Sequence, residues 1–320
     1  MRSEGRILLI GQGITTLTAL QSLLDRFDVV GLVRSSDSGD AAVRLASASG
    51  ISLFADTSLA GVTDAIKQVD PDAVVVSSYD RILPADLVAT RPFVNVHYAP
   101  LPRYRGRATV NWAVINGESH CAISIHALVP DLDAGGILFQ QFVPLGPSDT
   151  VTDLYERLNA IQRDSLAGAV ARHLDGDEGR SQDESQATYA CTRLPDDGEI
   201  DWSASTDAAD RLIRALTDPF PGAFTWLGLQ RLVIRRAEPC RIPRYEGRVP
   251  GRVVRVNRSS GAVDVLTGDG VLRLHEVALD GAAPQRAADV ITSVRQTLGL
   301  STARLVAALE RKLADREVGT

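Results

Sequence analysis

Residues Arg6 to Gly11, RILLIG, run into GQGITTLTALQSLLD over residues 11–25, and this stretch decides the fold. A continuous apolar run ending in Gly predicts a strand buried on both faces. Beyond it Leu17, Leu20, Leu23 and Leu24 recur at helical spacing, so the chain turns tightly at the glycines and enters a helix. Val29 to Val33 is a second β-rich run, Leu59 to Val69 is helical, and Ala73 to Val76 is apolar throughout. Strands alternating with helices imply parallel pairing, because each crossover helix returns the chain and covers a sheet face. The expected class is α/β, a doubly wound Rossmann-like sheet.

The pattern continues outward. Phe93 to Val96 is followed by a Pro-rich loop, a helix beginning near Val110, the alternating strand Ala122 to Leu128, the strand Ile137 to Val143, and a helix from about Thr152 to Leu174. The run Asp175 to Gln186, DGDEGRSQDESQ, is polar and acidic and reads as an exposed linker or loop. After a helix near Asp207 to Leu216, short β runs follow at Ala223 to Leu227, Arg231 to Arg236, Gly251 to Val256, Ala262 to Leu266 and Val271 to Val277. Closely spaced strands of this kind predict a small β-barrel or sandwich. The expected domains are residues 1–188 and 189–320. Ser301 to Leu313 reads as an amphipathic helix with Leu305, Ala308, Leu309 and Leu313 on one face, packed on the barrel or on a second copy in a homodimer.

Composition narrows the function. The 320 residues carry 34 Lys and Arg against 40 Asp and Glu, a net charge of −6, which argues against a protein that coats nucleic acid. Hydrophobic residues make up 44% and charged residues 23%, as in a folded globular enzyme. No stretch approaches the roughly 18 apolar residues of a membrane helix. Met1 to Ile7 has no apolar signal region, so a cytoplasmic protein is expected. Cys121, Cys191 and Cys240 are odd in number and far apart; no metal site is predicted, and all three read as buried or half-buried. Trp112, Trp202 and Trp226 read as packing residues.

Two stretches could carry chemistry. Gly11 and Gly13 form a G-x-G after the first strand, but Thr16 stands where a third glycine belongs and Arg34 where a ribose-binding acid would be needed. A tight turn accounts for both glycines better than a dinucleotide site does. The second stretch is NVHYAPLPRYRG, Asn95 to Gly106. Alternation puts Asn95 and His97 on the same face at a strand's carboxyl end, where open α/β sheets bind ligands. The loop Pro130 to Gly136 returns the chain with Asp131 and Asp133. An amide donor for an oxyanion, an imidazole to move protons and a carboxylate to favour its charged form suit acyl transfer. No Ser or Cys nucleophile adjoins the imidazole, so transfer should be direct. His126 reads as a structural or supporting residue.

These blocks, with NWAVINGE at 111–118 and SIHALVPDLDAGGIL at 124–138, resemble the hallmarks of the formyltransferases that use N10-formyltetrahydrofolate. The resemblance implies Asn95, His97 and Asp133 as catalytic residues. It further implies Arg81, Ile82, Leu83 and Asp131, Leu132, Asp133 around the pterin, and Tyr98, Pro102, Tyr104, Arg105 and Gly106 beside the acceptor. It implies a C-terminal OB-like barrel. TRLPDDGEIDW and RALTDPFPGAF, at 192–202 and 214–224, resemble most the sugar N-formyltransferases, in particular the domain acting on UDP-4-amino-4-deoxyarabinose. The implied acceptor is a nucleotide-linked amino sugar, with initiator tRNA as runner-up, hydroxyornithine as another small amine, and hydrolysis of the donor as a different class of activity. The chain departs from the family at Ala99-Pro100, often Ser-Leu, and at Gly136.

Overall fold

Ile7 to Ile10 are wholly inaccessible to solvent, as an apolar strand in the middle of a two-faced sheet must be. The computed structural model describes residues 4–35, 40–240, 243–303 and 305–310. These fall into two compact units: residues up to 110, 119–146 and 153–192 in the first, and 111–118, 147–152 and those from 193 onward in the second.

In chain order the first unit's elements are β1 (Arg6–Ile10), α1 (Thr16–Leu24), β2 (Asp28–Val33), α2 (Ala41–Ala48), β3 (Ser52–Phe54), α3 (Leu59–Val69), β4 (Ala73–Ser77), α4 (Ala85–Val88), β5 (Phe93–His97) and β6 (Arg105–Gly106). Then come α5 (Thr109–Ile115), β7 (His120–Ala127), β8 (Ile137–Pro144), α6 (Val151–Leu174) and β9 (Tyr189–Ala190), with most of α5 counted in the second unit. One seven-stranded sheet has the order β3-β2-β1-β4-β5-β7-β8. It is parallel through β5 and antiparallel for β7 and β8. The register sets Asn95 of β5 opposite Val76 of β4 on one side and His126 of β7 on the other.

The doubly wound sheet agrees with the pattern of apolar runs. The elements that escaped it are α2, β3 and α4. Helix α2, AAVRLASA, has few large apolar residues and is started by Asp40, whose carboxylate accepts from the Ala42 and Val43 N–H groups. Strand β3 has three residues, too few for alternation to register.

The second unit contains α7 (Thr206–Ala215), β10 (Ala223–Leu227), β11 (Gln230–Cys240), β12 (Val253–Asn257), β13 (Ala262–Leu266), β14 (Val271–Leu279), β15 (Gln285–Arg286) and α8 (Ala287–Val290). Its antiparallel sheet runs β10-β11-β14-β13-β12, with β15 beside β14. Residues 296–299 join the outer strands: Leu298 bridges Leu227, Thr297 bridges Arg252, and the Val253 N–H donates to the Gln296 carbonyl at 3.1 Å. The sheet thereby closes on itself as an OB-like barrel, and its edges are covered. Trp202 is buried and donates to Thr225, while Trp226 packs edge-on against Phe224 and donates to Glu199.

Three readings need correction. Cys191 is exposed, not buried. The acidic run is an exposed loop of the first unit and not a linker, and it bonds to the rest of that unit as described below. Residues 302–303 and 305–310 are helical, but Leu309 is exposed, and Leu313 lies outside the described residues. Among the described residues no helix is long and apolar enough to cross a membrane.

Candidate active site

Strand β5 ends beside β4 at the carboxyl edge of the parallel sheet, where the chain opens a cavity of about 420 Å³. Val76, Leu83, Val88 and Leu128 give it apolar walls, and Asn95, His97 and Asp133 give it polar ones. Asn95 and His97 stand on one face of β5 because a strand alternates. Asp133 comes from the Pro130–Gly136 loop, in a left-handed backbone conformation with φ 49°. Gly135 lets that loop pass close to β7, since a Cβ there would lie 1.8 Å from the Ala127 carbonyl oxygen.

The three groups converge. Asn95 Nδ2 donates to Asp133 Oδ1 at 3.3 Å, and Asp133 Oδ2 lies 3.8 Å from His97 Nδ1. His97 Nε2 bonds the Tyr104 carbonyl at 2.8 Å, so that nitrogen carries a proton. Behind them His126, wholly buried, donates from Nδ1 to its neighbouring Ala127 carbonyl at 2.9 Å. Its Nε2 lies 3.1 Å from the Asn95 amide nitrogen and 3.5 Å from Asp133 Oδ1, and so faces both groups. Burial by itself would raise the Asp133 pKa. Charge on His97, the hydrogen bond and charge from His126, and the Gly106 N–H at 2.8 Å outweigh it and hold this carboxyl well below the usual range. Asp133 is therefore an anion at neutral pH although only 8% exposed.

The remaining predicted positions divide. Arg81, Ile82, Leu83, Asp131 and Leu132 all line the cavity. Ile82 and Leu132 are exposed apolar side chains at its rim, and Arg81 lies 3.9 Å from Asp80. Of the residues read as facing the acceptor, Tyr98 and Gly106 line the cavity, whereas Pro102, Tyr104 and Arg105 do not. The Tyr98 hydroxyl is turned to Asn159 and Gln162 of α6, and burial raises its pKa. Arg105 is 2% exposed and turns its guanidinium away from the cavity to Glu184 and Gln182. Thr15, Ser78 and Tyr155 line the cavity without having been foreseen. Gln182 and Glu184 were hidden in an acidic run that composition marks as solvated.

At the G-x-G turn a Cβ on Gly11 would lie 2.3 Å from Thr16 Oγ1 and 2.7 Å from the Ser77 carbonyl, so close approach requires glycine. Arg34 fills the turn. Its Nη1 donates to the Gly11 and Gly13 carbonyls and to Thr16 at 3.0, 3.2 and 3.0 Å, and its other nitrogens hold Asp40.

A doubly wound sheet with an amide, an imidazole and a carboxylate around a cavity at its carboxyl edge, followed by a closed antiparallel barrel, has the build of a group-transfer enzyme. Residues 26–170 match the family described as Formyl transferase, and residues 194–295 match its C-terminal domain. The chain is 32% identical over 308 residues to a methionyl-tRNA formyltransferase of Marinobacter nauticus, covering 92% of this chain and 97% of that one. It belongs to the formyltransferase family, whose members transfer a formyl group from N10-formyltetrahydrofolate.

Solved structures share the fold. HypX from Aquifex aeolicus in complex with tetrahydrofolic acid superimposes with a TM-score of 0.67 at 17% identity, over 91% of this chain; this chain spans about half (48%) of HypX. A 4-N formyltransferase from Francisella tularensis gives 0.58 at 18% identity, over 70% of this chain and 93% of that one.

Proposed function

We propose that the chain formylates the primary amine of a nucleotide-linked amino sugar, with Asn95, His97 and Asp133 as catalytic residues in a domain comprising residues 1–188. The observation that carries the reading is the convergence of those three groups on one cavity. The cavity also fits the donor. A pterin needs apolar walls for its ring faces and polar groups for its edge, and Val76, Leu83 and Val88 supply the first while the backbone of 81–83 and Asp131 to Asp133 supply the second. Bound N10-formyltetrahydrofolate supplies an activated formyl carbon. Asn95 Nδ2 exchanges its long contact with Asp133 for the formyl oxygen as that oxygen gains negative charge. His97 exchanges the Tyr104 carbonyl for the same oxygen and holds a proton at Nε2. Asp133 faces Nδ1, orients the ring and pairs with the imidazolium.

Support for a small acceptor comes from the resemblance of residues 192–202 and 214–224 to sugar N-formyltransferases and from the state of the second unit's arginines. Arg231 stacks on Phe224 at 4.0 Å and lies 4.0 Å from Asp280, Arg235 is 3.4 Å from Asp218, and Arg236 sits opposite Glu276 in the strand register. Arginines already facing carboxylates have less to offer phosphates. A second reading, formylation of methionyl-tRNA, is favoured by the similarity to the Marinobacter enzyme across both units.

A panel of UDP-, GDP- and dTDP-linked amino sugars set against initiator methionyl-tRNA, with N10-formyltetrahydrofolate as donor, separates them. Formylation of an amino sugar alone supports the proposal, and formylation of the tRNA alone replaces it with the second reading. Formate released without any amine indicates a hydrolase.

A further inference from the structure

The acidic run lies along the two loops that carry the site. Arg180 exchanges both of its backbone hydrogen bonds with Ile137, at 2.8 and 2.9 Å. A Cβ on Gly136 would lie 2.0 Å from the Glu178 carbonyl oxygen, so strap and loop meet backbone to backbone. Gln182 then donates from its one amide nitrogen to two carbonyls, Asp133 at 2.7 Å and Gly135 at 2.8 Å, and its amide oxygen accepts from Arg105 Nη2 at 2.9 Å. Arg105 holds Glu184 with both ends of its fork, Nη1 to Oε2 at 2.9 Å and Nη2 to Oε1 at 2.6 Å. Gly106, the next residue, donates its N–H to Asp133 Oδ2 at 2.8 Å and completes a ring of contacts. Both loops need such a restraint. Asp133 at φ 49° and Tyr104 at φ 60° sit in a backbone region that residues with a Cβ seldom occupy, and the surroundings must hold them there.

We infer that Gln182, anchored by Glu184 through Arg105, is a positioning residue that keeps Asp133 facing His97. It touches the backbone of Asp133 and Gly135 and the Arg105 fork and does not itself line the cavity, so its effect on turnover passes through the carboxylate it places. The inference rests on Asp133 being catalytic, and the experiment keeps the two apart.

In the full-length chain, Gln182→Met preserves side-chain length while removing donor and acceptor. Turnover is read with N10-formyltetrahydrofolate as donor and with methionyl-tRNA and UDP-4-amino-4-deoxyarabinose as acceptor probes. Amide hydrogen exchange is read at Gly106 and across Ile7 to Ile10. The expected result is a kcat lowered roughly ten- to a hundredfold, as for a catalytic group misplaced by about an ångström, with the donor KM within about twofold. Exchange at Gly106 accelerates and that of β1 does not. Glu184→Gln, which keeps hydrogen-bonding groups toward Arg105, retains most of the rate that Glu184→Ala loses. On an Asp133→Asn background Gln182→Met adds no further loss, since the group it places is already gone.

The inference is overturned by unchanged kcat and Gly106 exchange, by a full additional loss on the Asp133→Asn background, or by faster exchange throughout β1, which would mark a general structural role. If Asp133→Asn alone turns over like the unmodified chain, the catalytic reading fails and the inference with it. If neither acceptor is formylated, the Gly106 exchange decides alone.

Discussion

Two glycine-containing turns border the same sheet, one leaving the carboxyl end of β1 and the other joining the antiparallel strands β7 and β8, and they differ in what they do with a charge. The Gly11–Thr16 turn gathers Arg34, which spends its donors on the Gly11 and Gly13 carbonyls, on Thr16 and on Asp40. The Pro130–Gly136 loop gathers Asp133, whose carboxylate meets Asn95, His97 and the Gly106 N–H and still lines the cavity. Glycine permits a close backbone approach in both. Only the second leaves a charged group facing space a substrate can enter, and that difference separates a structural turn from a site.

The sharpest way to break the contrast is to remove the proposed catalytic groups. Asp133→Asn, His97→Ala and Asn95→Ala should each lower kcat about a hundredfold to a thousandfold, with circular dichroism unchanged. Arg34→Met should do the reverse. It leaves Asp40 without its arginine and the Gly11 carbonyl without its side-chain donor, so urea unfolding should show a loss of about 2–3 kcal/mol while kcat stays within about twofold of the unmodified chain. A large kcat effect in Arg34→Met would erase the distinction between the turns.

Gly11→Ala forces a Cβ against Thr16 and the Ser77 carbonyl and should cost about 1–3 kcal/mol in the same measurement. Gly50→Ala, where nothing lies within 4 Å and only φ 71° opposes the side chain, should cost about 1–2 kcal/mol. The smallest effect is on pH. Desolvation opposes ionisation of Asp40, but hydrogen bonds from Arg34, Val43 and Ala42 lower its pKa in the fold, and Asp133 is likewise lowered. A carboxyl with a depressed folded pKa stabilises fully above its unfolded value, near 3.9, and loses that contribution as pH falls below it. The urea midpoint should therefore fall below about pH 4, and less steeply in Arg34→Met than in the unmodified chain.

Much of the first unit could be read without coordinates. RILLI is apolar at every position from Ile7 to Ile10 and lies between two other strands of the sheet, and FVNVH shows by alternation that Asn95 and His97 share a face. Asp133 entered through its glycine-bearing loop, and the family blocks made it a candidate. What escaped was fixed by partners distant in the chain. Gln182 binds Asp133 and Gly135, and Glu184 binds Arg105, across separations of 49, 47 and 79 residues, while the local composition of DGDEGRSQDESQ resembles any solvated loop. The partners of Arg105 are hidden for the same reason: its neighbours in the chain suggest a ligand contact, and only the fold shows its guanidinium bonded to Glu184 and Gln182.

The strap has a consequence for the order of events during synthesis. Residues 178–190 emerge after every strand of the seven-stranded sheet has been made, so a nascent chain halted before Gln182 can already pair β1 to β5, β7 and β8. In such a chain the loop bearing Asp133 would lack the amide that ties it down. Catalytic competence should thus arrive as a late, separable event, after the sheet has formed.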